Sequence, residues 1–218
     1  MSISQEYVRP APDNPISAYG RWKGAKGLWE IYSKDSGKTI MTDRLDIIVL
    51  DQLNSVRGFT RTKGIYSCAE VRDIHAQPIS VYLTENGTST LFKEGLYSEI
   101  KAELKEKGIK FQKVVYGMAN VNHENSTLND GIIKLELTGA SMSAWFDAVI
   151  FDGNRVKMTE SSFQDGAISY YIPKFVTSKA TDNMIEKAKD KDVILQKFLQ
   201  SWQKEEEEGE ESPEEIPF

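Results

Sequence analysis

Apolar and polar residues alternate with a period of two along most of this chain, the pattern of half-buried strands. The segments 27–33 (GLWEIYS), 44–53 (RLDIIVLDQL), 55–72 and 78–84 (PISVYLT) are rich in β-branched and aromatic residues. Asp35-Ser36-Gly37-Lys38 is a turn, and Asn86-Gly87 closes a hairpin. Over 91–108 the period changes. Leu96, Ile100 and Leu104 lie four apart among Lys and Glu, and Gly108 follows, which predicts an amphipathic helix with a glycine stop. Strands resume over 109–121 and 131–139, and a late strand over 166–176 is cut by Pro173. The segment 141–151 (SMSAWFDAVIF) predicts a short helix or a buried strand. Trp29, Ile31, Trp145, Phe146 and Phe151 are expected in the core. Leu195, Phe198, Leu199 and Trp202 give an apolar stripe to a helix over 181–204. The stripe could serve the chain's own barrel or a dimer.

The order is strands, a helix, then further strands, with no internal repeat. This is the element order of the OB-fold, a small Greek-key barrel. The expected fold class is therefore mainly β: an OB-fold-like small barrel with added helices and a disordered acidic C-terminal tail. Residues 1–20, with Pro10, Pro12 and Pro15 and no periodic pattern, form an extended arm. The barrel domain spans 21–180, the amphipathic helix 181–204 and the tail 205–218.

Composition changes this picture mainly through charge. The 218 residues are 39% hydrophobic and 28% charged, sufficient for one core with appendages. No apolar run is long enough to cross a bilayer, and the first ten residues lack a signal-peptide pattern. A single cysteine, Cys68, forms no internal disulfide, which suits a reducing cytoplasm. The net charge is -6, but residues 205–218 hold 8 of the 33 acids and none of the 27 bases. The other 204 residues carry 27 - 25 = +2. A mildly basic body is joined to a strongly acidic tail.

Enzymatic constellations are weak. The stretch 137–145 (LTGASMSAW) approaches a nucleophile elbow at Ser141, but Ser143 stands where the second glycine belongs. His75 and His123 both precede Ser141, the wrong order for that hydrolase layout, so a helix start capped by Ser141 or Ser143 is the simpler reading. Asp43, Asp46 and Asp51 could serve a metal-dependent nuclease. However, Asp46 and Asp51 would fall on opposite faces of an unbroken strand, whereas two-metal sites need converging carboxylates. No zinc-ligand spacing and no phosphate loop is present, and no cofactor or metal is expected.

A binding pattern is better supported. Arg57, Phe59, Arg61 and Lys63 alternate with smaller residues, so an unbroken strand would present all four on one side. Cations hold phosphates and an aromatic ring stacks on any base, which suits a single nucleic-acid strand. Tyr66 and Arg72 continue that surface. Trp22 and Lys23 contribute from the glycine-rich segment 20–27. Lys110, Lys113 and Tyr116 lie on a strand expected beside it. Charged edges also arise simply to block aggregation, so a protein-interaction adaptor without nucleic-acid binding is the alternative.

The final residues Glu214-Glu215-Ile216-Pro217-Phe218 resemble the acidic tip of bacterial single-stranded-DNA-binding proteins, which ends Asp-Asp-Asp-Ile-Pro-Phe. The last three residues agree in type and position, and Glu replaces Asp. The close match covers about five residues. The body is larger than the usual bacterial form and has no Gly/Gln-rich linker, and so is more similar to bacteriophage-encoded members. The resemblance implies non-enzymatic coating of single-stranded DNA in replication, recombination and repair. It implies recruitment of partner proteins through Glu214, Glu215, Ile216, Pro217 and Phe218, and competition between tail and DNA for the groove. It implies a location in the bacterial or phage-infected cytoplasm. Oligomeric state, and DNA over RNA, are left open by the residues.

Overall fold

The structure is a computed structural model that describes residues 13–119, 129–166 and 169–208. Its elements are β1 (Ile16–Lys23), β2 (Leu28–Ser33), β3 (Lys38–Thr42), β4 (Leu45–Phe59), β5 (Ile65–Cys68), β6 (Ile79–Glu85), β7 (Thr88–Gly95), α1 (Tyr97–Glu106), β8 (Lys110–Ala119), β9 (Ile132–Leu137), α2 (Gly139–Asp147), β10 (Arg155–Gln164), β11 (Tyr170–Ser178) and α3 (Asp182–Glu208). The fold is mainly β. One sheet runs β3-β2-β1-β9-β8-β4-β5-β6-β7, and β10 branches from β4 to carry β11. Neighbours pair antiparallel except β1 and β9, which are parallel.

β4 organises the molecule. Fifteen residues long, it pairs with β8 along most of one edge. On its other edge it pairs with β10 over Leu45–Ile48 and with β5 over Arg57–Phe59. Its middle is apolar at successive positions because it is covered on both faces. Leu45, Ile47 and Val49 enter one core with Trp29, Ile31, Trp145, Val156 and Phe175. Ile48, Leu50 and Leu53 enter a second with Leu195, Phe198 and Leu199 of α3. Val56 enters a third with Ile100 and Leu104 of α1. The first core lies inside the curl of the sheet, the second outside it under α3.

Local signals explain the boundaries. Asn86 (φ 51) and Gly87 (φ 81) form the left-handed pair that a two-residue hairpin needs between β6 and β7. In α1, Glu99 accepts from the Leu96 N–H at the helix start, and Gly108 (φ 73) follows the helix. In α2 the Ser141 hydroxyl accepts from the Thr138 N–H at 3.2 Å and donates to the Thr138 carbonyl at 2.9 Å. Ser141 therefore closes a helix start, and Thr138 rather than a serine is the cap.

Several expectations need correction. Residues 16–20, expected in an extended arm, belong to β1, with Ile16 and Ala18 buried, and residues 1–12 lie outside the described residues. The strand expected over 55–72 breaks at Phe59 into a turn. The helix expected over 91–108 begins at Tyr97, since 91–95 lie in β7. Phe146 and Phe151 are 51% and 64% exposed, whereas Trp145 is buried as expected. α3 continues to Glu208, four residues into the acidic segment. Its stripe packs on the chain's own sheet through Leu195, Phe198 and Leu199. The tip 214–218, like His123, lies outside the described residues.

Candidate nucleic-acid interface

Cross-strand register assembles a surface that no single segment contains. On the outer face, Thr39, Tyr32, Tyr19, Lys134, Tyr116 and Asp51 are successive partners across β3, β2, β1, β9, β8 and β4. A second row is Met41, Glu30, Arg21, Glu136, Val114 and Leu53. The β8 and β4 ends of both rows are covered by α3: Tyr116, Val114 and Leu53 lie in the cluster beneath it, and Asp51 accepts from Gln196. The other ends are open. There an elongated groove of about 520 Å³ is lined by Tyr19, Arg21, Glu30, Tyr32, Thr39, Arg57, Lys134 and Glu136. Tyr19 and Tyr32 are direct strand partners; Tyr32 is 44% exposed, whereas Tyr19 leans against the cluster beneath α3 and its hydroxyl accepts from the Asn14 amide at 3.1 Å.

Charges in the groove are paired. Arg21 and Lys23 both meet Glu30, Lys23 at 3.2 Å. The Arg57 Nη1 donates to Glu136 at 2.8 Å. Lys134 pairs with Glu70, which also accepts from the Tyr116 hydroxyl at 2.7 Å. The hydrogen bond from Arg21 holds the Glu30 carboxyl below its usual range. Burial and then Glu70 push the Tyr116 hydroxyl above the usual tyrosine range. Arg57 Nε is buried and has no hydrogen-bond partner among the described residues.

Arg57 joins the groove to a second feature. Its guanidinium lies 5.5 Å from the centroid of Phe59, a ring that is 63% exposed at the end of β4. Beyond Phe59 the chain makes a tight turn fixed by Glu85, which accepts from Thr60 at 3.1 Å and Thr62 at 2.8 Å. The Thr60 hydroxyl in turn accepts from the Gly64 N–H at 2.7 Å, and Lys63 takes a left-handed φ of 69°. Arg61 and Lys63 are thus held outward on a rigid turn. They flank Phe59 but do not share a strand face with it. Lys110 is the strand partner of Arg57.

The remaining expected residues are placed elsewhere. Trp22 faces inward, edge-on to Trp29 at 5.5 Å, and donates to the Tyr171 carbonyl at 2.9 Å. Tyr66 is 8% exposed and packs on Phe92, and Tyr116 is 1% exposed, so neither ring is open to a base. Tyr66 is expected from strand parity and Tyr116 from its place on a neighbouring strand, and neither signal sees the covering elements. Arg72 makes a two-pronged pair with the buried Asp51, 2.8 Å on each side. Lys113 is half-buried on the opposite face from Lys110, at 3.3 Å from Asn54 Oδ1. Burial lowers its ammonium below the usual lysine range. Arg21 is legible in the cationic segment 20–27, but Tyr19, Tyr32 and Lys134 carry no sequence signal and only the register brings them to it.

Of the carboxylates weighed for a nuclease, Asp46 and Asp51 are each held by a different arginine. Asp51 is held by Arg72, and Asp46 by Arg155 at 2.6 Å. Among the described residues no group of three or more His, Cys, Asp or Glu is placed to hold a metal, and no helix is long and apolar enough to cross a membrane. No protein-family model matches the sequence, no curated protein matches it, and no solved structure matches the fold.

Proposed function

We propose that the protein binds single-stranded DNA without sequence preference. The observation that carries this reading is the open groove in which Tyr19 and Tyr32 lie among Arg21, Arg57 and Lys134, with exposed Phe59 next to Arg57. Rings supply stacking surfaces that accept any base, and guanidinium and ammonium groups neutralise phosphates. The nucleic-acid strand would lie on the open outer face of β1, β2 and β9, as oligonucleotides lie on a sheet face of OB-type barrels. The order β4 to β7, α1, β8, β9 supports that fold reading. Glu30 and Glu136 hold the cations until phosphate displaces them. The terminal Glu-Glu-Ile-Pro-Phe supports a further role in recruiting replication, recombination or repair proteins. No catalysis is proposed.

The pairing of every groove cation with a carboxylate favours one rival: an adaptor that binds proteins only. Titration of intrinsic tryptophan fluorescence with poly(dT) at several salt concentrations separates the two. Tight binding that weakens steeply with salt is the expected result. Absence of binding at low salt would discard the nucleic-acid reading.

A further inference from the structure

The β10–β11 hairpin carries a second group of rings, apart from the groove. Phe163 and Tyr171 are strand partners with ring centroids 5.0 Å apart, and Phe163 is 57% exposed. The pair is anchored to the β1–β2 turn. Tyr171 N–H donates to the Gly24 carbonyl at 2.8 Å, and Trp22 Nε1 donates to the Tyr171 carbonyl. Gly27 has φ +66°, and a Cβ there would meet the Tyr171 ring at 2.8 Å, so the turn is shaped to receive that ring. At the hairpin tip, Asp165 accepts from Ser169 at 2.7 Å and from the Gly166 N–H at 3.0 Å. Its charge is drawn into the turn.

An exposed ring on a hairpin normally costs solubility, and Phe163 keeps more than half of its surface open beside Tyr171. The turn that seats the pair offers cations: Lys23 beside it, and the exposed Lys26, which makes no ion pair among the described residues. Tyr19, Arg21 and Lys23 are successive outward positions on β1, leading from the groove to this turn over about 14 Å.

We propose that the Phe163–Tyr171 pair on the β10–β11 hairpin is a second stacking platform for the same single strand. An unpaired base would lie on Phe163, with Lys26 and Lys23 at the flanking phosphates. This rests on the groove reading and extends it along β1. The occupant is a nucleic-acid base rather than an apolar protein segment because Lys23 and the exposed Lys26 stand on the turn that seats Tyr171, where they can meet phosphates.

The test uses the full chain and 5′-labelled dT20 in an anisotropy titration at low salt. Phe163→Ala is expected to weaken binding about 5- to 150-fold, the loss of one stacked base. Phe163→Trp should retain affinity, and its new indole should be quenched on titration. Affinity of Phe163→Ala within twofold of wild type, with Tyr32→Ala impaired, would overturn the platform and leave the groove standing. Tyr32→Ala binding like wild type would overturn the groove reading instead. Phe163 is largely exposed, and thermal unfolding of each variant confirms that the fold is kept.

Discussion

Tyr19 and Tyr32 are the residues on which the binding reading turns. Replacing Tyr32, 44% exposed, by Ala is expected to lower affinity for poly(dT) by about 1–3 kcal/mol while leaving thermal stability nearly unchanged, whereas Tyr19→Ala should also lower stability because that ring packs on the cluster beneath α3. A loss below a few tenths, read by fluorescence titration, would leave the rings as mere surface cover. The partner carboxylates predict the opposite sign. Glu136→Gln frees Arg57 and should tighten strand binding, most clearly at low salt. Lys113 gives a pH effect. Its charged form is penalised in the fold, so the unfolded chain binds the proton more readily. Stability should rise with pH through the lowered lysine pKa towards 10.5, and Lys113→Met should remove that rise in pH-dependent chemical denaturation. Asp51 is structural: 1% exposed, it accepts from Arg72, from Gln196 of α3 at 2.8 Å and from the Gln52 N–H. Asp51→Ala should cost about 3 kcal/mol, seen as a shifted denaturation midpoint.

At the scale of elements, legibility followed local chemistry. β2, β6, β8 and β9 were readable because alternation and β-branching coincide there. α1 was readable in its Ile100–Leu104 core, and Asn86-Gly87 fixed a hairpin. β1 was hidden by Pro15, Ala18 and Gly20, residues with little β preference that are held by pairing to β2 and β9. β10 was hidden because Thr159–Ser162 is polar, and only Val156 and Met158 mark its buried face. Phe59 could be read from sequence, but the groove could not, because its residues are joined by register between strands distant in the chain. The C-terminal extension of α3 carries its own prediction. Glu205–Glu208 place four acids at the negative end of the helix macrodipole, and no basic residue lies in the last turn. Replacing them by Lys should raise helix content in circular dichroism. Unchanged ellipticity would show that tertiary packing alone sets where the helix stops.

For the whole molecule, charge asymmetry is the governing fact. A chain truncated after Glu208 loses four glutamates, Glu210, Glu211, Glu214 and Glu215, without cutting α3. It should bind poly(dT) more tightly than the full chain at low salt, with the difference fading as salt rises. Equal affinities would remove the competition role of the tail and leave recruitment.

β4 threads all three cores, and this has a consequence for how the molecule comes apart. No part of the sheet can open while the rest keeps its central strand fully dressed. Amide protons along β4 should therefore exchange only through near-global opening, the slowest in the chain, while β7 and the β10–β11 tip exchange early. The same strand makes the protein a poor subject for dissection: fragments cut within 45–59 would each lack a wall that another fragment holds, and only their reunion would restore a folded body.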